Sequence, residues 1–281
     1  MATALYMAKF RLSLKLVTMA PAIFPIDHRL IVALDVSSAA SAQKIVTSLG
    51  DSVHIYKVGM QLYTAEGPRV VRDLVSSGRQ VFLDLKYHDI PNTVASAVRE
   101  AAQFGVSMLT VHAAGGKKML RAAVEASGVG ADVHVRPANA STLQILAVTV
   151  LTSMDESDLQ QTGVSGKLLD QVLRLASTAL DVGCAGVVSS AREVKALRAK
   201  LGQNFVIVNP GVRPAGADHG DQARVVTPAE AIRSGATHVV VGRPITASKD
   251  PAAAARAIQQ EISAATDEIS KDSPAHVTSA H

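Results

Sequence analysis

Asp84 and Lys86 stand two residues apart in Asp84-Leu85-Lys86-Tyr87-His88-Asp89, at the end of an aliphatic run. Side chains two apart on a strand share a face. A strand here therefore presents a carboxylate and an ammonium on one side, with Leu83 and Leu85 on the other. Two charges on a buried strand are costly unless they pair. Such a pair is either a structural ion bridge or a way of holding charge where a reaction needs it. Two other short aliphatic runs carry ionisable residues at their ends, Asp35 and Lys57. Several such groups converging on one place are expensive to fold, which favours the second reading. A lysine so placed can stabilise a developing carbanion and then donate a proton to it.

A different chemistry is written further along the chain. Gly242-Arg243 closes the aliphatic run 238–241, offering a backbone N–H and a guanidinium. Arginine forks onto phosphate oxygens with two parallel bonds. The preceding stretch 210–224 is long and Gly-containing, carries Arg213 and Gln222, and reads as a lid that closes over a ligand. Taken alone, Arg243 is an ordinary surface arginine. With Gly242 and a polar lid beside it, the reading becomes a phosphate site. His88, inside the same run, reads as a structural or orienting residue, and His112, ahead of Gly115-Gly116, reads as a supporting histidine rather than a general base. No Gly-x-Gly-x-x-Gly follows a strand and no Walker loop is present, so nucleotide-cofactor chemistry has no support.

These residues need elements that bring them together. Short aliphatic runs at 30–34, 54–58, 81–86, 108–112, 145–151, 186–189, 205–209 and 238–241 predict strands. Amphipathic stretches at 42–49, 68–76, 93–104, 117–126, 167–180, 191–201, 228–233 and 251–262 predict the helices that follow them. Strand–helix units repeated in this way, with right-handed crossovers, make an α/β fold of the (β/α)8 TIM-barrel type the simplest architecture. An open doubly wound sheet is the alternative. A barrel of this kind typically takes about 250 residues, and the 281 present suit one domain, placed at 26–265. Function in such barrels gathers at the C-terminal ends of the strands, where Asp35, Lys57, Asp84 and Lys86 fall. Residues 1–25 read as a loosely ordered extension, 128–142 as an exposed insertion, and 266–281 as a disordered tail.

Composition narrows the classes further. Apolar residues make up 48% and aromatics 3%, with no Trp, which suits aliphatic strands buried on both faces. Lys and Arg number 28 against 24 Asp and Glu, and this excess of 4 is spread along the chain, which argues against nucleic acid as a partner. The single Cys184 excludes an internal disulfide and a Cys-rich zinc site. No apolar run approaches the roughly 20 residues that span a bilayer, and Lys15 interrupts the only candidate secretory core. A soluble, cytoplasmic protein with a small-molecule substrate is the expectation.

The run Asp84-Leu85-Lys86-Tyr87-His88-Asp89-Ile90-Pro91-Asn92-Thr93 resembles the Asp-x-Lys-x-x-Asp-Ile-Pro-Asn-Thr signature of the orotidine 5′-phosphate decarboxylase family. The resemblance extends over residues 29–262. It takes in Ala33-Leu34-Asp35, Tyr56-Lys57-Val58-Gly59, Val150-Leu151-Thr152-Ser153, Pro210-Gly211-Val212-Arg213-Pro214, Asp221-Gln222 and Val241-Gly242-Arg243. A lone Asp-x-Lys-x-x-Asp is weak evidence, whereas these motifs in order on successive strands are specific.

The resemblance implies an enzyme without metal or cofactor that removes carbon dioxide from orotidylate to give UMP, with Lys86, Asp84, Asp89 and Lys57 as its catalytic set. It implies that Asp35 and Lys57 contact the ribose hydroxyls and that Thr152 binds the pyrimidine amide edge. Gln222, Gly242 and Arg243 then hold the phosphate, with Arg213 in the same lid. It also implies a homodimer in which Asp89, accompanied by Thr93, reaches into the active site of the partner subunit. Sugar-phosphate decarboxylases and hexulose-phosphate synthases resemble the chain in the same Asp-x-Lys-x-x-Asp. They bind magnesium through an acidic residue at the end of the second strand, where this chain has Lys57. A barrel that only binds nucleotides or phosphate would be expected to lose Lys86 or Asp84, and both are present.

Overall fold

The aliphatic runs pair side by side in the order in which they occur. A computed structural model describes residues 28–128, 143–214 and 226–272. In it β1 (Leu30–Ala33), β2 (Ile55–Gly59), β3 (Gln80–Tyr87), β4 (Met108–His112), β5 (Gln144–Val148), β6 (Gly186–Val188), β7 (Val206–Asn209) and β8 (His238–Val241) form a closed barrel in chain order. Every neighbouring pair is parallel, and β8 closes the ring by pairing with β1. Parallel neighbours require crossovers, and helices supply them on the outside. Each strand is then buried on both faces, as its aliphatic composition demands.

Strand parity decides what each residue meets. Ile31, Ala33, Ile55, Phe82, Met108, Leu146, Val148, Val188, Val206, Val208 and Val240 fill the barrel interior as one buried cluster. Their neighbours Leu30, Val32, Tyr56, Val58, Leu83, Leu109, Ala147 and Val241 face outward and pack with the helices. Continuing the inward parity by one or two steps gives Asp35, Lys57, Asp84, Thr110, Val150, Pro210 and Gly242. The top layer of the barrel is therefore dictated by the same alternation that builds its core. One close approach fixes a residue type. A Cβ at Gly186 would lie 2.0 Å from the Val206 carbonyl oxygen, so β6 and β7 can pair at this register only with glycine there.

The helices are α1 (Ala39–Leu49), α2 (Met60–Glu66), α3 (Arg69–Ser76), α4 (Pro91–Gln103), α5 (Gly116–Ala126), α6 (Glu156–Gln161), α7 (Leu168–Leu180), α8 (Val194–Leu201), α9 (Pro228–Arg233), α10 (Arg243–Thr246) and α11 (Pro251–Asp272). Several differ from the sequence expectation. The segment after β2 holds two helices, because Gly67 at φ 67 ends α2 before Pro68 caps α3. The short α6 and α10 were not expected. In α6 the Asp155 side chain accepts the Ser157 and Asp158 N–H groups, and Asp158 returns a bond to the Asp155 N–H, a reciprocal cap that starts a helix without an apolar stripe. Strand β5 ends at Val148 rather than 151: the Thr149 N–H still reaches the Val188 carbonyl, and the chain then bends away.

The C-terminal boundary needs correction. Residues 266–272 continue α11 instead of beginning a disordered tail. Ala265 is fully buried, and Glu268 forms a 2.7 Å ion pair with Arg233 of α9, so packing against α9 carries the helix past the end of its apolar periodicity. The expected extension 1–25, most of the expected insertion 128–142, and residues 273–281 of the expected tail lie outside the described residues. No helix among the described residues is long and apolar enough to cross a membrane.

Candidate active site

The site is built at the C-terminal ends of β1 to β4, and an irregularity in β3 creates it. Leu83 pairs with Leu109 and Tyr87 with Val111, so four steps along β3 span two steps along β4. The surplus is taken up at Lys86, whose backbone lies at φ 53, the one positive value among the described non-glycine residues. A lysine in the left-handed region costs on the order of 1–2 kcal/mol, and such strain persists where the surroundings over-determine it. Here the Lys86 N–H donates to Thr110 Oγ1 at 2.8 Å, and Lys86 Nζ donates to Asp84 Oδ1 at 2.9 Å. Thr110 Oγ1 in turn donates to the same Asp84 oxygen at 3.0 Å.

The charges form a chain of alternating sign. Lys57 Nζ lies 2.8 Å from Asp35 Oδ1 and 3.8 Å from Asp84 Oδ2, and Asp84 continues to Lys86. The side chains of Lys57 and Asp84 are only 12% and 13% exposed. These pairs therefore sit in a partly dry mouth, where electrostatic interactions are stronger than at an open surface. Gly59 is part of the arrangement, because a Cβ there would come within 2.8 Å of Lys57 Nζ. Lys57 can fold back toward Asp35 because the residue two positions ahead has no side chain.

Beside this chain lies a cavity of about 140 Å³. Lys57, Asp84 and Lys86 line one side, and Val148, Val150, Leu151, Val188, Pro210 and Val240 line the other, with Thr152 and Phe82 completing it. A charged half thus faces an apolar half, the setting in which a fixed ammonium acts most strongly on a bound molecule. A more open groove of about 600 Å³ runs past Asp155, Glu156, Leu168 and Arg192. It is larger, yet none of the mouth's lysine–aspartate chain lines it, so the smaller cavity is the candidate for chemistry.

The remaining expected residues fall in three places. Gly242 follows β8 beside Asp35, and Arg243 opens α10 with its side chain exposed at the rim. Arg213 is buried, its N–H bonded to the Val226 carbonyl. Gln222 lies outside the described residues, as does most of the expected lid. Asp89 and Thr93 are exposed and neither lines the cavity, and the Asp89 carboxylate accepts the Ile90 N–H at 2.6 Å. Regular alternation would put His88 on the face of Lys86, but β3 turns irregular at Lys86 and ends at Tyr87, so parity does not place this histidine. Its ring lies 5.4 Å from that of His112. Burial, with His88 and Lys86 nearby, pushes His112 below the ordinary histidine value against the opposing pull of Asp84.

Two residues of the site were missed in the sequence. Thr110 sits inside the aliphatic run of β4, and its inward parity beside Asp84 was the available signal. Gly59 was seen only as part of a motif. Its role depends on how Lys57 folds back, which no spacing reveals.

Comparison with known proteins supplies the context for this geometry. The model of the orotidine 5′-phosphate decarboxylase / HUMPS family matches residues 28–258. The orotidine 5′-phosphate decarboxylase of Moorella thermoacetica is 52% identical over 235 residues, which cover 83% of this chain and 92% of that protein. That of Halorhodospira halophila is 52% identical over 241 residues, covering 86% and 98%. Among solved structures, the orotidine 5′-phosphate decarboxylase of Lactobacillus acidophilus superposes with a TM-score of 0.74 at 39% identity, over 84% of this chain and 99% of that one.

Proposed function

Because the chain belongs to the orotidine 5′-phosphate decarboxylase / HUMPS family, we infer that it converts orotidine 5′-phosphate to UMP and carbon dioxide, a step of pyrimidine biosynthesis, and we propose how its residues do so. The observation that carries the mechanism is the alternating chain Asp35–Lys57–Asp84–Lys86 facing an apolar wall. Cleavage of the C6–carboxylate bond leaves its electron pair on C6, as a vinyl carbanion that the ring delocalises poorly. Lys86 offers a fixed ammonium to that charge and then transfers a proton to C6 as carbon dioxide departs. The lysine regains its proton from solvent. Asp84, hydrogen-bonded to Lys86 and Thr110, lies on the side where the substrate carboxylate is held, and it keeps the ammonium aimed.

Substrate placement follows from the same layer. Asp35 and Lys57 contact the ribose hydroxyls, Thr152 binds the amide edge of the base, and Gly242 and Arg243, with Gln222 and Arg213, take the phosphate. Binding energy from the phosphate, remote from the bond that breaks, serves to orient the base against Lys86. The reaction uses no metal or cofactor. This is supported by Lys57, whose ammonium occupies the space between Asp35 and Asp84 that a divalent cation would need. Asp89 and Thr93 complete the site of a second copy in a homodimer. That reading is supported by their exposure, with the 68% exposed Ile90 between them, outside the lining of their own chain's cavity. A cytoplasmic location belongs to the same proposal and agrees with the unpaired Cys184.

The deciding experiment is the ultraviolet absorbance of orotidine 5′-phosphate incubated with the purified protein, with and without EDTA. Loss of the orotate chromophore in both is expected. No change in folded protein would move the search to sugar phosphates with magnesium. For the shared site, Lys86→Ala and Asp89→Ala homodimers are mixed and allowed to exchange subunits. Activity is expected to return, and none after verified exchange would refute the sharing.

A further inference from the structure

The strand ends that carry the apolar wall also carry polar side chains facing the other way. Thr149, Ser189 and Asn209 adjoin the lining residues Val148, Val188 and Pro210, and by parity they point outward, under the helices. They are 4%, 1% and 0% exposed, and Glu193, just before α8, is buried with them. Ser189 Oγ and the Ser190 N–H both donate to Glu193 Oε2 at 2.7 Å. Thr149 Oγ1 donates to the Val188 carbonyl at 3.2 Å and lies 3.4 Å from Ser189 Oγ, while Asn209 Nδ2 donates to the Ser189 carbonyl at 2.7 Å.

Elsewhere this outward layer is aliphatic, with Val187, Ile207, Val194 and Leu197 packed together. A buried polar network in its midst carries a desolvation cost that a valine or leucine would avoid. That cost is incompletely offset, since Asn209 Oδ1 has no hydrogen-bond partner among the described residues. Networks of this kind act in return as rigid, directional ties. This one ties together the ends of β5, β6 and β7 at the level of the pocket wall.

We propose that Glu193 is a positioning residue for the base end of the substrate, holding through Ser189 and Thr149 the segment 148–152 that lines the pocket and presents Thr152. The proposal rests on the decarboxylase reading above. Glu193 does not line the pocket and bears on it through Ser189 and the strand ends.

The test compares Thr149→Val, Ser189→Ala and Glu193→Ala with the conservative Thr149→Ser and Glu193→Gln in steady-state decarboxylation of orotidine 5′-phosphate. The first three are expected to raise KM about five- to tenfold, with kcat changed less than about threefold, and the conservative pair to restore most of the loss. Competitive inhibition by inorganic phosphate, which needs the phosphate end of the site and not the base end, is expected to stay unchanged. Thr149→Val keeps the shape of threonine, so it decides the matter even where Glu193→Ala fails to fold. KM within twofold of wild type in Thr149→Val and Ser189→Ala overturns the proposal. So does a loss that Thr149→Ser does not restore, or one that weakens phosphate binding equally. An inactive wild type would instead strike the decarboxylase reading itself.

Discussion

Lys86 combines a strained backbone with a constrained side chain, and both are held by the same two neighbours. Thr110 takes its N–H and Asp84 takes its Nζ, while Thr110 also donates to Asp84. Removal of the ammonium is expected to be drastic: Lys86→Ala should lower kcat by more than roughly 10⁴-fold, read as disappearance of orotate absorbance, and near-wild-type turnover would refute the assignment. Thr110→Val keeps the volume but deprives both partners of a hydrogen bond. A cost of about 1–2 kcal/mol in the transition state corresponds to a five- to thirtyfold fall in kcat, and an unaltered kcat would show that Asp84 alone aims the lysine. Gly59→Ala tests the other lysine. Its φ of −99 suits alanine, so the fold should survive while the added methyl displaces Lys57 Nζ and raises KM several-fold. At this scale the sequence revealed residue types and faces: Asp35, Lys57, Asp84 and Lys86 meet as their parity requires. It did not reveal the left-handed turn at Lys86, because the register jump behind it arises from pairing with β4, which no local pattern encodes.

Elements in this barrel are fastened by their ends. Arg198, in the last turn of α8, is buried and donates to the carbonyls of Gln203 and Phe205 ahead of β7 and of Gly235 ahead of β8. Its guanidinium also lies 4.5 Å from the centre of the Phe205 ring. Burial lowers its pKa to about 10, so it remains charged at neutral pH. Arg198→Met fills similar space but strands three carbonyls, and is expected to destabilise by about 2–4 kcal/mol. An unchanged urea midpoint would contradict this role. Strands and most helices were legible because aliphatic runs and amphipathic stripes report burial directly. The ends were less so. Strand β5 stops where the chain bends after Thr149, and α11 continues because Glu268 finds Arg233; both depend on partners distant in sequence.

For the molecule as a whole, acid is expected to act through His238. This first residue of β8 is fully enclosed at the opposite end of the barrel from the site. Burial, with Arg29 and His28 nearby, lowers its pKa to about 3, against about 6.5 for an unfolded histidine. The unfolded chain therefore binds a proton that the folded one refuses, and the stability present above pH 6.5 is lost as pH falls toward 3. The loss approaches about 1.4 kcal/mol per pH unit at its steepest. Urea midpoints at pH 7, 5.5 and 4.5 should decline accordingly, and His238→Gln should flatten the decline. An equal slope in the variant would assign it to other groups.

The barrel mouth is divided by chain order as well as by chemistry. Its lysine–aspartate chain comes from β1 to β3, whereas most of the apolar wall and the Gly242–Arg243 rim come from β5 to β8 and the loops after them. The proposed bond-breaking apparatus and the mould proposed to select its substrate are thus carried by separate stretches of the chain. Recombination or drift confined to the second stretch can reshape the mould while leaving the charges untouched. A barrel so divided is suited to giving rise to relatives that share a reactive centre and differ in the molecule they accept.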